Sequence, residues 1–312
     1  MRWFSIVLAV SCLTSFLFAC STSSTDDANE ESLSILFTGD VLLDRGVRPI
    51  AEARGIGYLF EQVEPFFRKA DAVVINLEVP ITDTLSPVNK KFVFRADSRW
   101  APDLRQVGIT HAAMANNHTV DQGVSGLQAT YRHLMEAGIT PLGYGISTAR
   151  QLKPNVLTKG NQRVAIFNAI TMPIENWHHA DEGPGICQPS ADQLTEAIQH
   201  YHASWPGVRI VVVLHWGVEF QAQPSIGQRM LAARLAESGA DAIIGHHPHV
   251  LQSIDTLGQS FVFYSLGNFV FDQHPPMTRE GMMVNLHFYS DASITYDTIR
   301  VQIKNNRPTL QK

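Results

Sequence analysis

The sequence of 312 residues has few cysteines and no excess of positive charge. Its three cysteines, at positions 12, 20 and 187, are too few for a scaffold stapled by disulfides. Lys and Arg number 24 against 29 Asp and Glu, which gives a formal net charge of -5. Because nucleic-acid binding normally needs a basic surface to neutralise phosphates, we predict no nucleic-acid partner.

Long hydrophobic runs and phosphate-binding loops are also lacking in the body of the chain. No apolar run beyond residue 32 reaches about 18 residues, so no internal transmembrane helix is expected. No GxxxxGK segment occurs, so the sequence gives no support for nucleoside triphosphate chemistry of that kind. The hydrophobic fraction of 45% is too high for a disordered chain and is sufficient for a large folded domain.

The first 20 residues have the composition of an export signal. Arg2 precedes an apolar stretch from Trp3 to Phe18, and the segment Leu-Phe-Ala-Cys ends at Cys20. This ending resembles a bacterial lipobox, in which Cys20 becomes the lipidated first residue; an ordinary signal peptide with a chance cysteine is the alternative. We therefore expect a lipoprotein signal peptide over residues 1–20 and an exported protein, held at the cell envelope by an acyl anchor in a membrane.

The remainder divides into a tether and one domain. Residues 21–32 contain no large apolar side chain and four acidic ones, which predicts a flexible, solvated tether. Residues 33–304 contain no internal repeat and no linker rich in Gly, Ser or Pro, so we expect a single domain there. Cys187 is its only cysteine, and the domain is therefore predicted to lack an internal disulfide.

Short runs rich in Val, Ile, Leu and Phe alternate with helical patterns through this domain. Continuous apolar runs of this kind are typical of strands buried on both faces. The predicted strands cover 34–38, 72–76, 164–169, 210–214, 242–244 and 261–264, and the predicted helices cover 59–70, 124–137, 191–202 (with Ser190 as N-cap) and 226–238. The segment 281–303 alternates more strictly and predicts antiparallel strands. The domain is therefore predicted to be α/β, with a mixed sheet or two packed sheets.

Polar residues directly follow several predicted strands, at Asp40, Glu78, Asn117, His215 and the group His246, His247 and His249. Ligand sites of open α/β sheets form where strands end. Taken singly, these residues could be turn residues, helix caps or buried structural histidines. Three histidines in four residues are rarely structural, and a His-Pro-His spacing lets two imidazoles approach neighbouring metal positions. Together, the five strand ends predict one metal site.

The predicted ligands are imidazoles and carboxylates, with one amide and no thiolate. This set suits Zn, Mn or Fe better than Ca, which prefers oxygen ligands alone. We therefore predict one or two divalent transition metals as the cofactor. Two such metals would make hydroxide available near neutral pH and stabilise both oxygens of a displacement at phosphorus. A nearby histidine that is not a ligand could protonate the leaving group.

Six ordered motifs between residues 34 and 272 resemble the CapA family of poly-γ-glutamate capsule synthesis proteins, a branch of the calcineurin-like metallophosphoesterase superfamily. The motifs are Gly39-Asp40 through Arg45, Asn76-Leu77-Glu78, Ala115-Asn116-Asn117-His118 through Asp121 and Gly123, His215-Trp216-Gly217 with Glu219, Gly245 to His249, and Tyr264 to Phe269. The resemblance implies a four-layer αββα sandwich of two mixed sheets, with a metal centre at its loop edge.

The resemblance also implies a role for each matching residue. The implied metal ligands are Asp40, Glu78, Asn117, His215, His247 and His249, and the implied general acid is His118. Two positions depart from the superfamily pattern. The first motif, Asp-x-His, has Leu42 in place of its histidine, and the longer Glu78 replaces the bridging aspartate. His246 leaves open which imidazoles bind.

Two functions of different classes are compatible with these residues. The first is an envelope-anchored, metal-dependent hydrolase or transesterase in capsule assembly, acting on a phosphoester or a γ-linked polyglutamate amide. The second is a non-catalytic, metal-containing surface component that binds or exports anionic polymer. Capsule-assembly proteins are expected partners of either. The Asn117-His118 pair favours the first function, and the missing histidine favours the second.

Three further residues are predicted to contact the substrate. They are Arg45, Arg95 and Trp216, and for each of them packing against neighbouring loops is the alternative.

Overall fold

The computed structural model of this protein describes residues 1, 32–177 and 182–311. The chain divides into a first unit, Met1–Glu30, and a second unit, Glu31–Lys312, which contains every helix and strand described. The predicted signal peptide with its lipidation site Cys20, and the tether up to residue 31, lie outside the described residues and stay predictions. Within the described ranges, no helix is both long and apolar enough to cross a membrane.

The first of the two large sheets contains eight of the described strands. They are β1 (Leu33–Val41), β2 (Ala72–Leu77), β3 (His111–Ala113), β4 (Thr140–Leu142), β13 (Asn268–Val270), β14 (Glu280–Phe288), β15 (Ile294–Lys304) and β16 (Arg307–Leu310). The order is β16-β15-β14-β1-β2-β3-β4, and β13 pairs with β1. Strands β1 to β4 are parallel, whereas β14 to β16 extend the sheet as antiparallel strands. The antiparallel strands predicted over 281–303 are therefore confirmed.

The second sheet contains six of the described strands. They are β6 (Asn155–Lys159), β7 (Gln162–Ile170), β9 (Arg209–His215), β10 (Ala242–His246), β11 (Ile254–Leu257) and β12 (Ser260–Phe263), in the order β11-β12-β10-β9-β7-β6. The four inner strands are parallel, and the two outer strands are antiparallel to their neighbours. A separate two-stranded ribbon pairs β5 (Tyr144–Ser147) with β8 (Glu182–Ile186).

The helices follow the strands as α1 (Arg48–Arg54), α2 (Ile56–Phe60), α3 (Glu64–Phe67), α4 (Trp100–Gln106), α5 (Gly123–Glu136), α6 (Thr148–Gln151), α7 (Ala191–Ser204) and α8 (Ile226–Glu237), with a 3-10 helix at Pro276–Arg279. Ser190 caps α7 through a reciprocal hydrogen-bond pair with Gln193, which confirms the predicted N-cap. The single helix predicted over 59–70 is wrong, because α2 ends at Phe60 and α3 begins at Glu64. Pro65 lies in the first turn of α3, where its missing N–H is tolerated, and so it marks a new helix.

Successive side chains of each inner strand point alternately to the core between the two sheets and to the core formed with the helices. Ile35 and Phe37 join a core whose other members come from both sheets, whereas Leu36 packs in the core formed with the helices. In β9, Val211 and Val213 face the first sheet, whereas Ile210, Val212 and Leu214 belong to the core that includes α7 and α8. The predicted α/β fold, an αββα sandwich of two mixed sheets, is confirmed, and the inner strands β1, β2, β9 and β10 are buried on both faces as their continuous apolar runs require.

A tight crossing of backbones fixes one end of this sandwich. A Cβ atom added to Gly281 would lie 1.8 Å from the carbonyl oxygen of Asn268, and one added to Gly39 would lie 2.2 Å from that of Gly267. Asp40 N–H donates to the Gly267 carbonyl at 2.9 Å across the same crossing. Two positions without a Cβ therefore let the segment before β13 lie directly against β1 and β14, which places Asn268 opposite Asp40 in register.

We expect Gly281→Ala to lower the free energy of unfolding by about 1–3 kcal/mol, because the added methyl group meets backbone that cannot move aside cheaply. Gly57→Ala is the matched control, since a Cβ at this position in α2 meets nothing within 4 Å and alanine has the higher helix propensity. Denaturant unfolding of both variants measures the difference. Equal stabilities would contradict the crossing as described.

Candidate metal centre

The carboxyl ends of the inner parallel strands meet at one edge of the sandwich. Asp40, near the end of β1, is paired with Asn76 of β2, and His246 at the end of β10 is paired with His215 of β9. Glu78 directly follows β2, and its N–H donates to the Val41 carbonyl at 2.9 Å. Strand pairing alone therefore brings these side chains, which are far apart in sequence, to the same edge.

Two overlapping groups of side chains could each hold a metal ion. The ligand atoms of Asp40, Glu78 and His215 lie within 4.8 Å of one another, and so do those of Glu78, His247 and His249. All five residues are buried, with exposed fractions of 3% or less. Glu78 belongs to both groups, which is the position expected of a bridging carboxylate between two ions.

Asn117 completes the set of residues predicted from the sequence. Its Oδ1 lies 2.8 Å from His215 Nε2, so the loop after β3 reaches the end of β9. The structure therefore brings together all six predicted ligands. Their role as metal ligands stays a prediction.

His246 and His249 both face Asp40. His246 Nδ1 lies 3.2 Å from Asp40 Oδ1, and His249 Nδ1 lies 3.1 Å from Asp40 Oδ2 and 3.0 Å from Asn268 Oδ1. His249 Nε2 also lies 3.7 Å from Glu78 Oε1. Among the described residues, the two candidate groups contain His247 and His249 but not His246, which favours the His-Pro-His pair as ligands.

The backbone at this histidine pair is strained. His247 has φ 97° and His249 has φ 58°, a region that residues with a Cβ rarely adopt. The Pro248 carbonyl between them accepts a hydrogen bond from Phe220 N–H at 2.9 Å. Such strain costs of order 1–3 kcal/mol per residue and persists where the surrounding structure enforces it, typically at functional sites.

Several buried polar atoms of the site lack a well-directed hydrogen bond within the described ranges. They are Asp40 Oδ2, Glu78 Oε1, His246 Nδ1 and His247 Nδ1. An unsatisfied buried polar group costs about 1–3 kcal/mol, so four in one place require an explanation. Carboxylate oxygens and imidazole nitrogens are ligands of divalent transition metals, and the residues present therefore fit such an ion.

The charges of the site's own side chains are unbalanced. Burial raises the pKa of Glu78 well above its usual value, and the negative charge of Asp40 raises it further. Burial would also raise the pKa of Asp40, but hydrogen bonds from His246 and His249 hold it well below its usual value. Two buried carboxylates this close resist joint ionisation, and a bound cation would relieve the conflict.

The histidines titrate in opposite directions. Burial lowers the pKa of His215 well below its usual value and that of His247 to about 3, so both rings are neutral near pH 7 and have a lone pair for a metal. For His249, burial is outweighed by the charges of Glu78 and Asp40, which raise its pKa to about 9. A metal must therefore displace a proton from this ring when it binds.

His118 lies beside the predicted ligands, and the carboxylate of Asp121 holds its ring. Its Nδ1 donates to Asp121 Oδ2 at 2.7 Å, and its ring stacks on Phe94 with centroids 4.2 Å apart. Asn116 Oδ1 accepts from the His118 and Thr119 N–H groups, which fixes the turn. Burial lowers the pKa of His118 to about 4, although Asp121 opposes the shift.

A cleft of about 400 Å³ opens over these residues. Asn117, His118 and His247 lie in its wall, together with Phe92 and Glu219. The predicted general acid and two predicted ligands therefore share one cavity that is accessible from solvent.

The three predicted substrate contacts differ in their surroundings. Arg45 is exposed, pairs with Asp272, and has its guanidinium 4.9 Å from the ring centroid of Phe94, which itself stacks on His118. Arg95 is half-buried, with Nη1 3.4 Å from the Thr82 carbonyl. Both roles stay predictions.

Trp216 lies in the hydrophobic core. It is 2% exposed, and its indole N–H donates to the Tyr264 carbonyl at 2.9 Å while the two rings stack. These contacts are those of a packed core residue, which was the alternative interpretation of Trp216. They do not support its predicted contact with the substrate.

Sequence reasoning gave no role to two residues of the site. Asn76 Nδ2 donates to Asp40 Oδ1 at 2.8 Å and lies 3.4 Å from Glu78 Oε2. Its position two residues before Glu78, on the same face of the strand end, was a usable signal. Lys90 Nζ donates to Asp121 Oδ1 at 2.7 Å, but it lies in a loop with no periodic pattern, and no sequence signal pointed to it.

The fold is an αββα sandwich of two mixed sheets with a buried histidine–carboxylate cluster at one edge. Among solved structures, the 5'-nucleotidase precursor from Thermus thermophilus is similar, with a TM-score of 0.50 and 16% sequence identity. The match covers 87% of this chain and 54% of that chain, so this chain spans about half its length. At this identity the likeness shows the fold alone.

The family model of the bacterial capsule synthesis protein PGA_cap matches residues 34–273, and the chain belongs to this family. The capsule biosynthesis protein CapA of Bacillus anthracis is 31% identical, over 89% of this chain and 69% of the relative. The PGA biosynthesis protein CapA of Bacillus subtilis (strain 168) is 30% identical, over 90% and 74%. The predicted family is therefore confirmed.

We expect His247→Gln to lose at least one equivalent of bound metal relative to the unchanged protein, because the substitution removes an imidazole ligand from a buried site. Elemental analysis of protein purified without chelator measures it. His287→Gln is the matched control, since this histidine lies in β14, opposite Ser34 and far along β1 from Asp40. Equal metal content in both variants would argue against His247 as a ligand.

Proposed function

We propose that this protein is an envelope-anchored, metal-dependent hydrolase or transesterase that acts in capsule or poly-γ-glutamate assembly. The observation that carries the proposal is the buried pair of ligand groups sharing Glu78, with His118 in the wall of the same cleft. The names of the Bacillus relatives support the assembly role. The export pattern of residues 1–20 supports anchoring through Cys20 to a membrane.

The ligands would be Asp40, Glu78, Asn117, His215, His247 and His249, holding one or two ions of Zn, Mn or Fe. Such an ion would polarise a phosphoryl or carbonyl oxygen of the substrate as a Lewis acid. The protein supplies fixed positions for the ligands, since every one of them follows or ends a strand of the two packed sheets.

His118 moves a proton at Nε2. Asp121 occupies Nδ1, and Nε2 makes no hydrogen bond with any described residue, so it is the ring nitrogen available to the cleft. Because the pKa of about 4 leaves the ring neutral near pH 7, His118 takes up a proton from solvent in the cleft before it delivers one from Nε2 to a leaving group.

The substrate would be a phosphoester or a γ-linked polyglutamate amide with an anionic group near Arg45. This guanidinium is exposed and lies between the rings of Phe94 and Phe271, 4.9 and 5.6 Å from their centroids. Phe271 in turn lies 4.7 Å from the His249 ring, so Arg45 is one aromatic layer away from the predicted ligands.

A second candidate function is a non-catalytic surface component that binds or exports anionic polymer alongside capsule-assembly proteins. One observation favours it. Val41 and Leu42 are fully buried apolar residues at the place where the superfamily's first motif has a histidine, so the chain supplies one ligand fewer there.

We expect His118→Gln to lower kcat on a phosphodiester by about 10²–10⁴-fold while metal content is unchanged, because proton transfer is lost but the ligands remain. The loss should be smaller for a 4-nitrophenyl ester than for an alkyl ester, since nitrophenolate needs less protonation as it leaves. His287→Gln is the control. Bound metal without turnover of phosphodiesters or γ-linked glutamate oligomers by the unchanged protein would favour the second function.

If Arg45 binds an anionic group of the substrate, we expect Arg45→Ala to raise KM by roughly 10-fold (about 1.4 kcal/mol of binding) and to lower kcat by a smaller factor. Arg132→Ala is the control, because Arg132 is exposed on α5 and pairs only with Glu136 at 4.0 Å among the described residues. Steady-state kinetics of both variants decide the point. An unchanged KM would exclude this contact.

A further inference from the structure

Lys90 is a buried lysine that the proposed chemistry does not use. Its side chain is 5% exposed. Nζ donates to Asp121 Oδ1 at 2.7 Å and to the Asn117 carbonyl at 2.5 Å, and it lies 3.4 Å from His118 Nδ1. Taking an ammonium group out of water is costly unless it is paired. The burial of Lys90 therefore needs a structural or functional explanation.

The loop that carries Lys90 covers the turn of His118 along its length. Ser86 N–H donates to Gln122 Oε1 at 3.0 Å, and Val88 N–H donates to the Asp121 carbonyl at 3.0 Å. Gln122 Nε2 donates back to the Phe94 carbonyl at 3.2 Å. These bonds fix the loop at both ends, so Lys90 is held over the turn by backbone as well as by its own contacts.

Asp121 is fully buried and has both oxygens occupied. Oδ2 accepts from His118 Nδ1 at 2.7 Å and from Phe94 N–H at 2.8 Å, and Oδ1 accepts from Lys90. With three donors on fixed elements, the carboxylate cannot rotate. Since a carboxylate only accepts, the nitrogen that faces it must bear the proton, which leaves His118 Nε2 directed elsewhere.

Lys90 is the only charged group that bonds to Asp121 among the described residues. Without it, Oδ1 would be a buried oxygen with no partner. The carboxylate would then be free to turn away from His118 Nδ1, and the ring would lose the fixed acceptor that selects the tautomer protonated at Nδ1.

We infer that Lys90 is a positioning residue, which acts through Asp121 to fix the orientation and the tautomer of the His118 imidazole. Two of its three N–H donors are already used by Asp121 and Asn117, so little capacity is left for a substrate. The consequence for turnover rests on the proposed function, whereas the effect on the His118 ring does not.

The test is nitrogen NMR of the metal-free protein with ring-labelled histidine, in Lys90→Met and Lys90→Gln. The His118 signals are identified by their loss in His118→Gln. We expect the unchanged protein to show His118 protonated at Nδ1 alone, and both variants to show a mixture of tautomers. Lys91→Met is the matched control, because Lys91 is the exposed neighbour whose ammonium lies 5.1 Å from the Phe92 ring centroid.

Kinetics and rescue distinguish positioning from bulk stability. We expect Lys90→Met to lower kcat by about 10–100-fold, as for other residues that orient a functional group, with KM and metal content unchanged. Lys90→Arg, which keeps the charge and the donors, should restore the single tautomer and part of kcat. If Lys90→Met acted only by lowering stability, Lys90→Arg would not restore the single tautomer and part of kcat together.

The outcomes separate the two proposals. An unchanged His118 tautomer in either Lys90→Met or Lys90→Gln, whichever folds, would overturn the inference regardless of activity. Lys90→Gln is included in case Lys90→Met fails to fold. Its amide is a polar replacement for the ammonium, but it is one atom shorter and carries no charge to hold Asp121. Absence of turnover in the unchanged protein would refute the proposed function, while the NMR result would still decide the role of Lys90.

Discussion

The structure depends on two carboxylates, Asp40 and Glu78, buried beside each other at one edge of two packed sheets. Burial and mutual repulsion disfavour two negative charges in this place, and the surrounding imidazoles respond with pKa shifts in both directions. A folded protein tolerates such an arrangement only when something positive balances it. The unsatisfied polar atoms and the strained histidine backbone lie at the same site, whose residues fit a divalent ion.

The backbone next to these carboxylates is closely packed and therefore rigid. Asn268 reaches His249 because Gly281 and Gly39 let its backbone lie against two strands where no Cβ would fit. Apolar cores on both faces of each sheet then hold the strand ends in place. The predicted ligands are therefore positioned by strand register and close packing.

His118, the proposed proton-transfer residue, is held by different means. His118 lies in a loop, and its orientation depends on a chain of polar contacts through Asp121 to Lys90, with Phe94 stacked on its ring. Asn117 connects the cluster of predicted ligands to this loop, since its side chain reaches His215 while its carbonyl accepts from Lys90. The site thus combines a cluster of predicted ligands on strand ends with a loop whose order comes from buried hydrogen bonds.

Apolar runs and ordered motifs are local properties of the chain, so they were enough to predict the α/β alternation, the strand ends that carry Asp40, Glu78 and His215, and the family. The break between α2 and α3 was not predicted, because Pro65 interrupts an apolar pattern there. The packing of Trp216 in the core, and the contact of Lys90 with Asp121, 31 residues further along the chain, became visible in the folded structure. Contacts of this kind come from how distant segments fold onto one another, and no local pattern in the sequence encodes them.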